Sequence, residues 1–334
     1  MKAALAAQDV APDWADHSVE SIASSSRNAI VGGPFGSDLG ALDYRDVGVP
    51  VIRGQNMARK FVSGAFVFVS DEKANSLESN LAHPGDIIFT QRGTVGQVSI
   101  VPDKPFKRYL ISQSQMKLSV NPRKHNSTFL YYLFCSVPQQ NSIQESTIQT
   151  GVPHINLGIL RNYRLFIPAL GEQNMIANAL DDADAYIESL EQLLSKKRDI
   201  KQGAMQELLT GKRRLPGFDG DWLPKRLEEV ADIRSGGTPS THQALFWDGG
   251  LLWCTPTDIT GLRGRKYLDR TTRTISDFGL KSSSAEIIPA NSVVMTSRAT
   301  IGECAINRVS VTTNQGFKNF VPRPEFDVQF LYYR

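Results

Sequence analysis

The sequence predicts an α+β fold: two similar mixed domains joined by one long α-helix with coiled-coil character. Three observations predict it. The phrase FLYY occurs twice, at 129–132 and 330–333, each time near the end of a stretch that matches the other in order. Both stretches are dominated by short β-type runs separated by glycine-containing turns. Between them lies a proline-free segment from Glu172 to Thr210 in which apolar residues recur at three- and four-residue steps.

The size suits this plan, since 334 residues are too many for one small core. With 41% hydrophobic and 21% charged residues, the composition is that of a globular chain and excludes a disordered one. No stretch approaches the ~18 apolar residues of a membrane span. The opening MKAALAAQDVAPDW is too weakly apolar for a secretory signal. Cys135, Cys254 and Cys304 are far apart and odd in number, which argues against a disulfide framework and for a reducing cytoplasm. A net charge of +3 permits a polyanionic partner without requiring one.

The repeat runs through both copies. WADHSVESIA from Trp14 lies beside WLPKRLEEVA from Trp222, and GGPFGS (32–37) lies opposite GGTPS (236–240). VPVIRGQNM from Val49 faces LLWCTPTDI from Leu251, and PGDIIFTQRGTVGQVSIV from Pro84 faces PANSVVMTSRATIGECAI from Pro289. SQSQMKL (112–118) pairs with NQGFKNF (314–320), and the offset stays between 201 and 208 throughout. DIIFT and SVVMT are buried-strand runs, and QVSIV and ECAIN follow them across turns too short for a parallel crossover, which predicts antiparallel hairpins. STFLYYLFCS opens on Ser127-Thr128, a pair suited to an N-cap, and predicts a short helix.

The connector carries Ile176, Leu180, Ala183, Ile187, Leu190, Leu194, Lys197, Lys201, Ala204 and Leu208 on one stripe, interrupted by lysines. Gly211 and Pro216 end it. A helix of about 38 residues is ~57 Å long. Acidic residues crowd its first half and basic ones its second, an order that suits the helix dipole and an antiparallel partner of the same kind. Such a stripe needs a cover. The predicted boundaries are a first domain over 1–170, the helix over 171–211, and a second domain over 212–334.

A search for chemistry finds none. No GxxxxGK[ST] loop, GxGxxG, GxSxG or HExxH is present, and the five histidines do not sit at metal-ligand spacing with a cysteine. The pattern is that of a protein that binds. Candidates for polyanion contact in copy one are Arg53, Asn56, Arg59, Lys60, Arg92, Lys107 and Arg108. In copy two they are Thr241, His242, Gln243, Arg263, Arg265, Lys266, Arg270, Arg273, Arg298 and Lys318. TGLRGRKYLDRTTR mixes Arg with Thr and Tyr, as phosphate and base-edge contact would need; a solvated surface loop has the same composition. Arg92 and Arg298 occupy matched turns, which suits either backbone support or direct contact.

Taken together, GPFGS, the paired P-x-[DS]-x-x-x-T-x-R-x-T-x-G strands, FIPALGEQNMIANALD and LLTGKRRL resemble the specificity (S) subunits of type I restriction–modification systems. The likeness covers essentially the whole chain. The family's proline-rich run before Glu-Gln is reduced here to Pro168-Ala-Leu-Gly before Glu172-Gln173. The resemblance implies two target-recognition domains, each reading half of a split site in double-stranded DNA. It implies a spacer helix that docks methyltransferase subunits through Ile176, Leu180, Ala183, Ile187, Leu190, Leu194 and Leu208. It further implies no active site, metal or cofactor in this chain. S-adenosylmethionine belongs to the methyltransferase partner, and ATP and Mg to the motor–nuclease restriction partner. Under this resemblance copy two should continue past FLYY for about eighty residues, as copy one does. The chain is therefore expected to be truncated at its C-terminus, and to self-associate through the helix stripe or be completed by another chain. A non-assembling remnant and a coiled-coil scaffold for protein partners are the alternatives.

Overall fold

The computed structural model describes residue 11 and residues 13–334, so the stretch weighed above as a secretory signal lies mostly outside the described residues. The chain divides into two compact units, Met1–Glu191 and Gln192–Arg334. The strands of unit 1 are β1 (Ala15–Ser18), β2 (Ile30–Gly32), β3 (Val49–Ile52), β4 (Val67–Val69), β5 (Leu81–Ala82), β6 (Ile87–Thr90), β7 (Val98–Ile100), β8 (Tyr109–Ile111), β9 (Gln115–Leu118) and β10 (Arg164–Ile167). Its helices are α1 (Val19–Ile22), α2 (Asp71–Ser76), α3 (Ser127–Cys135), α4 (Val137–Glu145) and α5 (Leu157–Asn162), and the long α6 (Leu170–Leu208) begins in unit 1 and ends in unit 2.

Two four-stranded sheets form unit 1, in the orders β2-β9-β6-β7 and β4-β3-β8-β5, and β1 pairs with β10. The β6–β7 pair is antiparallel, as the short turn requires. The β3–β8 pair is parallel, a non-local pairing that no turn signals. Alternation splits the core in two. Ile87 and Phe89 face a cluster with Phe129, Leu130 and Phe134 of α3, while Ile88 faces Ile52, Tyr109 and Ile111. Because both faces are covered, β6 reads as an unbroken apolar run. The cap of α3 differs by one residue from the sequence expectation. Asn126 is the N-cap, its Oδ1 accepting from the Phe129 N–H at 2.9 Å, and Ser127 is already helical.

Unit 2 contains β11 (Ala231–Ser235), β12 (Trp247–Cys254), β13 (Tyr267–Leu268), β14 (Arg273–Ile275), β15 (Ser292–Thr296), β16 (Cys304–Asn307), β17 (Thr312–Thr313) and β18 (Phe317–Pro322). Its short helices are α7 (Leu227–Val230), α8 (Pro256–Thr260), α9 (Asp277–Lys281) and α10 (Val328–Tyr333). The sheet orders are β11-β18-β15-β16-β13 and β14-β12-β17. The repeat extends to register: Ile87 pairs with Leu118 and Thr90 with Gln115, as Val293 pairs with Phe320 and Thr296 with Phe317.

Helix α6 is continuous for 39 residues, and Gly211 past its end takes φ 72°, a left-handed conformation that glycine enters without steric cost. Its apolar stripe is not uniform. Ile176 packs on the core of unit 1 with the buried Ala177, and Leu208 is half-buried within unit 2. Leu180, Ala183, Ile187, Leu190 and Leu194 are exposed. No helix is long and apolar enough to cross a membrane, and no metal-binding cluster of His, Cys, Asp or Glu occurs among the described residues.

Candidate functional site

In each unit the matched loops converge at one end of the sheets. In unit 1, β6 ends at Thr90 and the following turn is tied to the turn before β9. The Gln91 N–H donates to Ser114 O at 2.7 Å and the Arg92 N–H to the same oxygen at 3.4 Å. Pro153 O receives the Gly93 N–H at 3.2 Å, and the Ile155 N–H returns to Gln91 O at 3.0 Å. The glycine loop closes over the same turn. A Cβ on Gly33 would lie 2.0 Å from Ser112 O, so only glycine fits there. The Gln113 amide then donates to Gly36 O at 2.5 Å and Leu39 O at 3.0 Å, fixing the loop that carries Phe35.

Unit 2 repeats the construction. The Ser297 N–H donates to Gly316 O at 2.7 Å and the Gly237 N–H to Thr313 O at 2.8 Å. A Cβ on Gly236 would lie 2.1 Å from Asn314 O, and the Thr238 hydroxyl bonds the Gln315 amide. Arg92 and Arg298 therefore stand on equivalent, braced turns. Both side chains are exposed, and neither guanidinium has a hydrogen-bond or ion-pair partner among the described residues. Their backbones do the bracing and their side chains are left for contact.

A second matched element holds the neighbouring loops. Asn56 and Asp258 each occupy the third position of a short helical turn and accept the N–H of its cap, Arg53 at 3.1 Å and Thr255 at 2.8 Å. The Asn56 amide also donates to Ser63 O and Ala65 O, each at 3.0 Å. Asp258 receives the Thr272 N–H at 2.8 Å and hydroxyl at 2.6 Å, which pins the segment carrying Arg263, Arg265 and Arg270. Burial works against the charge on Asp258, but the hydrogen bonds from Thr272 and Thr255 outweigh it and hold its pKa below the usual value.

Several of the residues expected to contact a polyanion are occupied elsewhere. Asn56 is buried with its amide fully used, because three backbone groups of one loop converge on it. Lys60 is ion-paired to Asp181 and lies 5.2 Å from the Tyr132 ring, so it clamps α6 to unit 1. Arg108 bonds Asp71 at 2.5 Å and Asn75 at 2.8 Å. Lys266 donates to Gln329 at 2.5 Å and sits 5.0 Å from each of the Tyr267 and Tyr333 rings. Lys318 donates to Ser235 Oγ at 2.7 Å. Arg53 is half-buried, its Nε without a partner among the described residues.

The others are presented outward. Arg59, Lys107, Arg263, Arg265, Arg270, Thr241, His242 and Gln243 are exposed. Arg273 is exposed and stacked 3.7 Å over Trp247, which stands edge-on to Trp253 at 4.9 Å; the stacking pre-orients the guanidinium. Sequence reasoning missed Gln91, Gln113, Thr238 and Gln315 beside the arginine turns. SQSQ and NQGF marked the repeat, and that repeat was itself the signal. It also missed Lys117, buried at a strand position and donating to Leu81 O, whose pKa desolvation lowers.

The family described as type I restriction modification DNA specificity domain matches residues 39–196 and 219–334. The chain is 36% identical to the type I restriction enzyme MjaIX specificity subunit of Methanocaldococcus jannaschii over 113 residues, 34% of this chain and 26% of that protein. It is 28% identical to the EcoR124I/EcoR124II specificity subunit of Escherichia coli over 170 residues, 49% of this chain and 40% of that protein. The matches thus span well under half of either curated relative. In fold, the chain resembles the S subunit of a type I restriction–modification system from M. genitalium, with a TM-score of 0.54 at 17% identity, covering 100% of this chain and 79% of that one. Two matched stretches, one in each half of the repeat and together most of the sequence, place this chain in the type I restriction–modification DNA specificity family.

Proposed function

We propose that the chain is a DNA-reading specificity subunit of a type I restriction–modification assembly, with one half-site read by each unit. The observation that carries this reading is the pair of braced turns that present the Arg92 and Arg298 guanidiniums without partners among the described residues, in a chain of this family. Phosphate contacts from Arg59, Arg92, Lys107, Arg263, Arg270 and Arg298 supply affinity. Polar groups beside them, the Gln91 amide in unit 1 and the Gln315 amide nitrogen in unit 2, neither engaged among the described residues, supply base-edge contact. The exposed stripe of α6 from Leu180 to Leu194 docks methyltransferase subunits, and a restriction subunit joins the same assembly. The chain itself is non-catalytic and cytoplasmic. The reaction, with S-adenosylmethionine, ATP and Mg, lies in the partners.

Binding to a DNA fragment pool across a salt series tests the contact residues. Log affinity should fall linearly with log salt, and Arg92→Ala or Arg298→Ala should flatten the slope by about 0.9 for each phosphate the variant no longer neutralises. An unchanged slope in the double variant removes these turns from the interface. Methylation mapping in cells that carry the chain with its neighbouring methyltransferase should yield a bipartite adenine-methylated motif. No new motif in that experiment overturns the proposed function.

A further inference from the structure

The smaller sheets of the two units match strand for strand and differ in what they present. In unit 1, β3 lies between the antiparallel β4 and the parallel β8, with Val51 opposite Val67 and Leu110. In unit 2, β12 lies between β14 and β17 in the same senses, with Trp253 opposite Arg273 and Thr312. Arg273 therefore stands where unit 1 has Val67. That place in unit 1 is closed by aliphatic packing: Val67 lies on a cluster of Val49, Val51, Val69 and Leu110, which Leu39 of the glycine loop completes. In unit 2 the cluster is built on Trp247, Trp253 and Ile275, and a cation is set over it.

Arg273 is held from every side. Its guanidinium carbon is 3.7 Å from the centre of the Trp247 ring and 5.5 Å from that of Trp253. Both rings are tethered, the Trp247 indole N–H donating to Ser240 O at 3.1 Å and that of Trp253 to Gly237 O at 3.0 Å. The backbone is fixed by pairing with Trp253 and by the Thr271 hydroxyl, which donates to Arg273 O at 2.7 Å. Asp258 pins the neighbouring Thr272, and Thr255 and Thr272 together engage both of its carboxylate oxygens. The guanidinium itself is exposed, with no hydrogen-bond or ion-pair partner among the described residues. It also lies at the interface already built. The 237–240 stretch that receives both indoles is tied through Gly237 and Thr238 to the turn before β18, and that turn braces Arg298.

A phosphate contact asks only for charge, which a side chain on a loose tether supplies. A guanidinium laid on an indole and aimed by a fixed strand is confined to one plane. A bidentate pair with O6 and N7 of guanine demands that confinement. Covering the indoles would need only an apolar side chain at this position, such as unit 1 has. We infer that Arg273 reads a guanine in the half-site of unit 2, as a specificity-determining residue with no counterpart in unit 1. The inference rests on the proposed DNA-reading function and adds to it a base and a residue. Arg92 and Arg298 recur in both units and suit contacts common to both halves; Arg273 makes the halves differ.

The test maps methylation in cells that carry the full chain, or its Arg273→Val variant, with the neighbouring methyltransferase. The wild-type motif should hold a fixed G·C pair in one half. Arg273→Val gives unit 2 the residue of unit 1 and should relax that pair alone, its preference for guanine falling from about tenfold or more to about one. Arg273→Lys is the second variant, should Arg273→Val not fold, and must loosen the same position. A target with 7-deazaguanine there lacks the N7 acceptor and should bind the wild-type assembly about tenfold more weakly, while the variant assembly should not respond. An unchanged motif in both variants overturns the inference, as does a wild-type motif with no fixed G·C pair in either half. So does a loss that is uniform over all positions with a salt slope flattened by about 0.9, the mark of a phosphate contact. No motif from the wild-type chain overturns the proposed function itself, and this inference with it, so the two failures are told apart.

Discussion

Units 1 and 2 share turn chemistry and the order of their central strands, β2-β9-β6-β7 in one and β11-β18-β15-β16 in the other, yet they bury matched residues to very different extents. Phe129 is 2% exposed and its counterpart Phe330 45%; Val95 is 8% exposed and Ile301 78%. Val19 is fully buried where Leu227 stands half in solvent. The strand pairing is the same because hairpin turns, the braced glycine loops and the alternation of side chains specify it locally. The cover is different because helices supply it. In unit 1, α4, α5 and the start of α6 pack over the β6–β9 face around α3. In unit 2 the corresponding face carries α10, with Val328, Leu331 and Tyr332 only partly buried against Val293, Ile306 and Phe320. Pairing and covering are thus separable steps in this repeat.

Truncating the matched aromatic is the largest test of that separation. Phe129→Ala should destabilise unit 1 by about 3–5 kcal/mol, the range for a buried phenylalanine, whereas Phe330→Ala should cost unit 2 under about 1.5 kcal/mol. Denaturant unfolding followed by hydrogen exchange at β6 and β15 reads the two units apart. Equal destabilisation would mean that exposure does not govern the difference. A smaller effect is expected from Gln173→Ala. The Gln173 side chain accepts from the Asn126 N–H and donates to Lys124 O at 3.2 Å and Pro168 O at 2.8 Å while itself buried. Its removal strands three backbone groups and should cost about 1–3 kcal/mol, seen as faster exchange of the Asn126 amide. Unit 2, with no counterpart of this bond among the described residues, should not respond.

Much of this architecture was legible in the sequence, for reasons that are local. The long helix showed itself through a three- and four-residue period ended by Gly211, and the paired hairpins through β-branched runs across glycine turns. The parallel β3–β8 and β12–β17 pairs were not legible, because nothing near either strand announces a partner so far along the chain. The site was legible only in part. Arg92 and Arg298 stood out through the repeat, and neither guanidinium has a partner among the described residues. Lys60 looked like any exposed lysine because its partner Asp181 is 121 residues away. Asn56 stood among the candidates for polyanion contact, since its three backbone partners become visible only once its loop has folded back. Charge in a sequence marks a candidate; the neighbours brought by the fold decide whether it is spent internally.

The subtlest difference between the units lies in their matched caps, where unit 1 has an amide and unit 2 a carboxylate. Asp258 has a depressed pKa, so the stability it contributes is fully present above its ordinary value of 3.8 and is lost as pH falls through the lowered folded value. Asn56 does not titrate. Acid should therefore loosen the segment from Thr255 to Thr272 while leaving the Arg53–Ala65 loop closed, by an amount on the order of 1 kcal/mol for bonds that are partly screened by solvent. Exchange of the Thr272 amide between pH 5 and pH 2 should rise beyond the intrinsic rate, with no matching rise at Arg53. Asp258→Asn gives unit 2 the cap of unit 1 and should remove the step. A step that persists in that variant would have to come from another carboxylate, and the caps would then not be what distinguishes the two loops.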